Sequence, residues 1–236
     1  MPPRALEGRV LKAQSGQYLV ELPDGLVTAV LRGRVKKDRL QDGLVALGDR
    51  VRVERLEGPT GRGGAIGAVI REILPRASVL ARRAPGPKGV WSQDVIVANV
   101  EILAVVMACR RPEPNWRLLD RFLAVAEISD IDCVIVLNKA DLGVSAEVSA
   151  GSDRYRAIGY PVLLVSVVTG EGLEGLRERL QLGVAALCGP SGAGKSSLLN
   201  ALDPTLSLRI GDVSDAVDKG RHTTRVGQLH RLACGG

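Results

Sequence analysis

Gly189-Pro190-Ser191-Gly192-Ala193-Gly194-Lys195-Ser196 satisfies the pattern G-x-x-x-x-G-K-[ST] at every fixed position, and it restricts the fold more than any other stretch of the chain. The apolar run Leu182 to Cys188 before it has the length of a buried strand, and Ser197-Leu198-Leu199-Asn200-Ala201-Leu202 after it reads as the opening of a helix. Strand, glycine-rich turn and helix in that order make a phosphate cradle. The glycines let backbone N–H groups fold inward, and the helix turns its positive dipole end toward the same point. The expected lining is Gly189, Pro190, Ser191, Gly192, Ala193, Gly194, Lys195, Ser196 and Ser197. Lys195 would reach the β- and γ-phosphates, and the Ser196 hydroxyl would ligate Mg²⁺.

Upstream, the chain divides by grammar. From Gly8 to Leu80, short runs such as Gln17–Leu22, Leu26–Leu31, Arg50–Glu54 and Gly64–Ile70 are broken by Gly, Pro, Asp and Ser turns. Arg50-Val51-Arg52-Val53-Glu54 alternates charged and apolar residues, the pattern of a strand with one wet face. About five short strands without a long helix predict a small all-β barrel of the OB type, a fold that often binds oligonucleotides. Ala84-Pro85-Gly86-Pro87-Lys88-Gly89 then reads as a linker. The expected division is a barrel over 1–83, a linker over 84–92 and an α/β domain over 93–236. In the last of these, apolar strand-like runs at 102–109, 133–137 and 162–165 alternate with helical spacing at 115–128 and 173–180. That alternation predicts βαβ units around a mainly parallel sheet.

Charge follows the same division. Residues 1–90 hold 17 Lys and Arg against 9 Asp and Glu, although the whole 236-residue chain carries a formal charge of only +6. The first part is therefore the one expected to meet a polyanion. The segment Arg32-Gly33-Arg34-Val35-Lys36-Lys37-Asp38-Arg39 concentrates that charge, and Tyr18 is the only aromatic before Trp91. Contacts to phosphates or to RNA shape are thus expected rather than base stacking, with affinity falling steeply with salt. Cys109, Cys133, Cys188 and Cys234 show no C-x-x-C spacing and read as reduced thiols in or near the core. No apolar run reaches membrane-spanning length and the N-terminus lacks a secretory h-region, so a cytoplasmic location is expected.

The strand Cys133–Leu137 ends in Asn138-Lys139-Ala140-Asp141, an N-K-x-D arrangement. A carboxylate at Asp141 can accept from the N1–H and exocyclic amino group of guanine, a donor pair adenine does not offer on that edge. Asn138 can hold the base and tie neighbouring loops, while the Lys139 stem packs along the ring. Ser166-Val167-Val168-Thr169-Gly170-Glu171-Gly172 closes a further strand, where Ser166 and backbone N–H groups could contact the base.

Taken with Gly220-Arg221-His222-Thr223-Thr224, these stretches look like the base-specificity, base-supporting, phosphate and switch I motifs of a GTPase in rotated order. A permuted GTPase domain behind an OB-like barrel resembles the RsgA (YjeQ) family of ribosome small subunit-dependent GTPases. Leu47-Gly48-Asp49-Arg50-Val51 and Asn99-Val100-Glu101 also fit that family, which more often has Asp at the last position. The resemblance covers essentially the whole chain. It implies a monomeric factor that binds GTP and Mg²⁺, contacts the small ribosomal subunit and its ribosomal RNA through the barrel, and acts late in subunit maturation. Lys195 and His222 would be its catalytic residues, with His222 positioning or activating water. Thr223 and Thr224 compete as the switch ligand to Mg²⁺, and Thr224 is favoured.

Members of that family continue beyond switch I into a D-x-P-G motif and a zinc domain with Cys and His ligands. Here no Asp follows Asp218 and the zinc ligands are absent, so the sequence reads as a fragment or a shortened gene product. The expectation is nucleotide binding with impaired hydrolysis. Two other readings stay open. One is a different P-loop enzyme such as an ATPase or nucleotide kinase, which Asn138–Asp141 disfavours; the other is a non-catalytic RNA-binding assembly factor.

Overall fold

A computed structural model describes residues 5–31, 45–60, 66–85, 91–208 and 228–232. The chain falls into two compact units. The first runs to Asn99 and is rejoined by the chain at 228–230, where Leu229 N–H donates to the Leu11 carbonyl at 2.8 Å; the second begins at Val100.

The first unit contains a closed five-stranded barrel. Its strands are β1 (Leu6–Gln14), β2 (Gln17–Leu22), β3 (Gly25–Leu31), β4 (Arg50–Thr60) and β5 (Ile66–Ile73), in the order β1-β2-β3-β5-β4. All neighbours are antiparallel except β3 and β5, which run parallel, and β4 pairs back onto β1 to close the wall. Alternation explains the core. Val10, Val20, Val27, Val51, Val53 and Ile70 point inward and are buried, while Arg50 and Arg52 stay on the wet face. The expected barrel is therefore present, although the strands run longer than the apolar runs because charged outward residues belong to them as well. Arg50, Arg52, Arg55 and Arg71 each pair with a carboxylate, from Glu7, Glu72, Asp24 or Glu54. The basic Arg32–Arg39 segment lies outside the described residues.

The stretch expected as a linker over 84–92 is instead occupied from both sides by a hairpin. Strands β6 (Val79–Pro85) and β7 (Trp91–Ala98) pair antiparallel from Val79 opposite Ala98 to Pro85 opposite Trp91. Pro85 stands in the last pair of a two-stranded ribbon, where a missing N–H costs little because both strands are edges. Pro85 thus ends a strand that pairs across the expected linker, and the unit boundary falls at Asn99. A buried clasp fixes this hairpin within its unit. The Asp49 carboxylate is fully buried and accepts from Arg76 Nε at 2.7 Å, from Arg76 Nη2 at 2.9 Å and from Ala46 N–H at 2.8 Å. Beside it, Asn99 Nδ2 donates to the Gly48 carbonyl and its Oδ1 accepts from Ala77 N–H, both at 2.9 Å.

The second unit is an α/β domain on a four-stranded parallel sheet of order β10-β9-β8-β11. Its strands are β8 (Ile102–Ala108), β9 (Asp132–Asn138), β10 (Val162–Leu164) and β11 (Ala185–Cys188). Every residue of β8 is buried, as a central strand covered on both faces requires. Helices α1 (Trp116–Ile128), α2 (Ala146–Ala157), α3 (Leu173–Leu180) and α4 (Lys195–Leu202) alternate with the strands. Asn115 caps α1 by accepting from Leu118 N–H at 3.0 Å, and Ser145 caps α2 through Val148 N–H at 3.2 Å. Leu176, Leu180, Leu198 and Leu202 from α3 and α4 close over Ile102, Ala104, Val106, Val134 and Val136 of the sheet. Among the described residues no helix is long and apolar enough to cross a membrane.

Candidate nucleotide site

Because the four strands are parallel, the loops that follow them emerge along one edge of the sheet, where open α/β folds place their ligands. These loops are Cys109–Asn115 after β8, Asn138–Asp141 after β9, Val165–Gly172 after β10 and Gly189–Gly194 after β11.

The glycines of the phosphate loop are set by contact as well as by backbone angle. Gly189 and Gly194 have φ of 137° and 92°. A Cβ on Gly189 would overlap the Val106 carbonyl, and one on Gly194 would overlap the Asn138 amide. Lys195 is buried, and its Nζ donates to the carbonyls of Gly189 at 2.7 Å and Pro190 at 2.9 Å. The lysine thereby closes its own loop. Helix α4 begins at Lys195 on a glycine N-cap with no side-chain cap bond, so its first N–H groups face the cradle uncapped by any side chain. Ser196 is buried in the same turn.

Two side chains of the Asn138–Asp141 loop tie it to this cradle, and a third ties it to the loop after β10. Asn138, 2% exposed, donates from Nδ2 to the Ala193 carbonyl at 2.9 Å. Its Oδ1 is buried and meets no hydrogen-bond partner among the described residues. Lys139 adopts the left-handed conformation at φ 62°, a strained state for a residue with a side chain. Its Nζ bridges the carbonyls of Arg111 at 2.5 Å and Gly192 at 2.6 Å. Asp141 is exposed, and its Oδ1 accepts from the Ser166 hydroxyl at 2.6 Å.

Ser166 itself is fully buried. Its oxygen accepts from Val168 and Thr169 N–H, each at 3.2 Å, while its backbone N–H donates to the Glu171 carbonyl at 3.0 Å. The hydroxyl has one proton and gives it to Asp141, so the Ser166 side chain acts on its surroundings through that carboxylate. The β8–α1 loop, which the sequence did not single out, joins the site through the Arg111 carbonyl. The available signal was its position after a buried parallel strand.

The site is chemically quiet at its thiols. Burial pushes the Cys109 thiol up, helped by Asp141, Glu113 and Glu171, and burial raises Cys188 at the end of β11 as well. Both are held neutral, as is expected of reduced core thiols. His222, Thr223 and Thr224 lie outside the described residues, as does Cys234. Among the described residues no three His, Cys, Asp or Glu side chains gather as a metal set. A separate cavity of about 380 Å³, lined by Glu127, Asp132, Tyr160 and Leu182 among others, includes none of these site residues.

The chain is similar to known proteins over nearly its whole length. The small ribosomal subunit biogenesis GTPase RsgA of Gemmatimonas aurantiaca is 47% identical over 232 residues, which are 97% of this chain and 73% of the relative. The protein of the same name from Moorella thermoacetica is 42% identical, over 98% of this chain and 72% of the relative. Among solved structures, YjeQ from Thermotoga maritima superposes with a TM-score of 0.68 at 30% identity, covering 87% of this chain and 68% of that one. YloQ, described as a circularly permuted GTPase, gives 0.64 at 29% identity, covering 86% and 66%. The base loop preceding the phosphate loop in the chain, on one parallel sheet, is that same permuted arrangement. The family model of the RsgA GTPase matches residues 73–236, and the chain belongs to the RsgA GTPase family.

Proposed function

We propose that this GTPase binds guanine nucleotide between Asn138–Asp141 and Gly189–Ser197 and acts in maturation of the small ribosomal subunit in the cytoplasm. The observation that carries the nucleotide reading is the buried Asn138 Oδ1, without a donor among the described residues, on a side chain whose amide nitrogen is bound to the glycine cradle. An acceptor buried that way costs about 1–3 kcal/mol, and such groups mark functional sites. Asp141 Oδ2 and Oδ1 would receive the two guanine donors, with Ser166 and the Thr169–Gly172 turn holding the carboxylate in place. The Asn138 amide has a second hydrogen, beyond the one given to Ala193, for the purine ring. Lys195 would exchange its two carbonyl partners for phosphate oxygens, stabilising charge as the terminal phosphoryl departs. Ser196 fits a hydroxyl ligand to Mg²⁺, which supplies electrostatic neutralisation of the phosphates when bound. A switch Thr, Thr224 by preference, would complete that ligand set, and His222 would position water.

The barrel unit would bind ribosomal RNA, and the protein would act as a monomer. Since Arg50, Arg52, Arg55 and Arg71 already hold carboxylates, the surplus charge of residues 1–90 belongs to other basic residues, among them Arg32–Arg39. Equilibrium binding of fluorescent GTP and ATP analogues with Mg²⁺ tests the first part. GTP is expected to bind at least about 100-fold more tightly, because rejecting adenine leaves the buried polar groups of the base loop unpaired. Equal affinities would overturn the reading. For the barrel, small-subunit binding should weaken steeply as salt rises.

A further inference from the structure

The loop joining β8 to α1 carries two adjacent arginines, Arg110 and Arg111, both exposed. Its backbone is drawn against the phosphate loop. Lys139 Nζ is shared by the carbonyls of Arg111, at 2.5 Å, and Gly192, at 2.6 Å, so those two oxygens are no more than about 5 Å apart. The next residue, Pro112, is what a Cβ on Gly192 would meet, at 3.6 Å. Arg111 is held at φ 53°, in the left-handed region, which turns its carbonyl to the lysine. An arginine side chain rooted there is long enough to pass over the phosphate loop.

Neither guanidinium meets a carboxylate among the described residues. Arg50, Arg52, Arg55, Arg156 and Arg177 do, whereas the exposed Arg117, Arg121, Arg154 and Arg179 also meet none among the described residues, so the place beside the phosphate loop is what sets this pair apart. Glu113 supplies the one negative charge of the loop, and it bears on the Cys109 thiol beneath. With Lys139, the loop pair makes a concentration of positive charge beside the phosphate loop, set among the described residues against the carboxylates of Glu113, Asp141 and Glu171. We propose that Arg110 and Arg111 form a second cationic wall for the polyphosphate of the bound nucleotide, opposite the backbone N–H groups of the phosphate loop. This rests on the nucleotide reading given above. Guanidinium forks suit phosphate oxygens, and each charge-assisted bond made there resists salt better than a solvated pair. A ribosomal RNA phosphate offers similar chemistry, but the shared lysine ties this loop to Gly192, which favours the nucleotide.

The test is the dissociation constant for a fluorescent GTP analogue, with melting curves as a control on folding. Arg110→Gln with Arg111→Gln should weaken GTP binding by about tenfold or more, the loss of one or two charge-assisted hydrogen bonds. Arg110→Lys with Arg111→Lys keeps the charge and should recover most of the affinity. Should the double glutamine variant fail to fold, the single variants Arg110→Gln and Arg111→Gln are read by the same criterion. Lys195→Ala separates the two levels of the argument. If Lys195→Ala abolishes binding while the glutamine variants bind GTP as the unaltered protein does, the arginine wall is wrong and the nucleotide site stands. If Lys195→Ala also leaves GTP affinity unchanged, the nucleotide site itself is wrong. Unchanged GTP affinity with lost affinity for small subunits would assign the pair to RNA and overturn the proposal.

Discussion

The Ser166 hydroxyl donates a 2.6 Å hydrogen bond to Asp141 Oδ1 while accepting from two N–H groups of its own loop. The serine therefore aims the carboxylate as well as closing the turn. Ser166→Ala should lower GTP affinity by roughly 5- to 30-fold, an effect of about 1–2 kcal/mol, through lost orientation of Asp141. Asp141→Asn should go further and reverse the preference between guanine and xanthine nucleotides, because an amide presents a donor where the carboxylate presents acceptors. Competition between GTP, XTP and ATP reads both.

Asn138→Ala has separable effects on the empty and filled site. It deletes the bond to Ala193 and, with it, the buried Oδ1 that has no donor. Nucleotide-free stability should fall by about 1–3 kcal/mol, since the unsatisfied Oδ1 leaves but the buried Ala193 carbonyl loses its donor. GTP affinity should fall by more than about tenfold. Urea midpoints with and without GTP separate the two, and an equal loss with and without GTP would show that Asn138 contributes nothing to binding.

Gly194→Ala faces both a φ of 92° and the Asn138 amide in the path of the new methyl. A destabilisation of about 2–3 kcal/mol is expected, combining backbone strain with displacement of a buried side chain. Gly16, at φ 77° with open space around its Cβ position, is the control. There Ala should cost only the backbone term of about 1 kcal/mol. Equal losses at both positions would mean that the contact with Asn138 contributes nothing.

In the first unit, Arg76→Ala would leave the fully buried Asp49 carboxylate with Ala46 N–H as its remaining partner among the described residues. Removing one partner of a buried pair costs about 3–5 kcal/mol, whereas the exposed pair Arg55 with Asp24 should yield less than about 1 kcal/mol on Arg55→Ala. Urea denaturation of the two variants ranks them, and similar values would show that the clasp is solvated in practice.

Alkaline pH should loosen the second unit. Burial, with Glu127 and Asp132 beside it, pushes the Cys133 thiol up to about 12, and the hydrogen bond to Glu127 followed by burial does the same to Tyr160. Tyr155 is likewise raised to about 12, by burial first and then by its bond to Asp120. Groups raised in the folded state favour folding fully below their unfolded values, near 9 for Cys and 10 for Tyr, and lose that contribution as pH climbs toward 12. The urea midpoint should hold level up to about pH 9 and then decline. A midpoint unchanged to pH 11 would contradict these shifts.

What the sequence made legible follows the length of the physical signal. Helix α1 was readable to within one residue because Leu119, Leu123 and Ala126 repeat at helical spacing behind an Asn115 cap. The parallel sheet was readable because β8 is apolar at every position. The hairpin of β6 and β7 was not, since Pro85-Gly86-Pro87 speaks only of its own backbone and the partner strand lies beyond it. At the site, the motifs named Asn138, Asp141 and Lys195. They could not reveal that Ser166 spends its proton on Asp141 or that Lys139 holds Arg111, because those bonds join residues 25 and 28 positions apart.

The ties from Asn138 to Ala193 and from Lys139 to Gly192 span 55 and 53 residues, with the base loop coming first in the chain. During synthesis the loop proposed to choose the base leaves the ribosome well before the loop proposed to grip phosphate. On the proposed reading a nascent chain would display selectivity without holding power, and nucleotide would not template its folding until α4 had emerged. In a GTPase of ordinary order the grip is made first, so the permutation reverses the point at which a growing chain can first be stabilised by its own ligand.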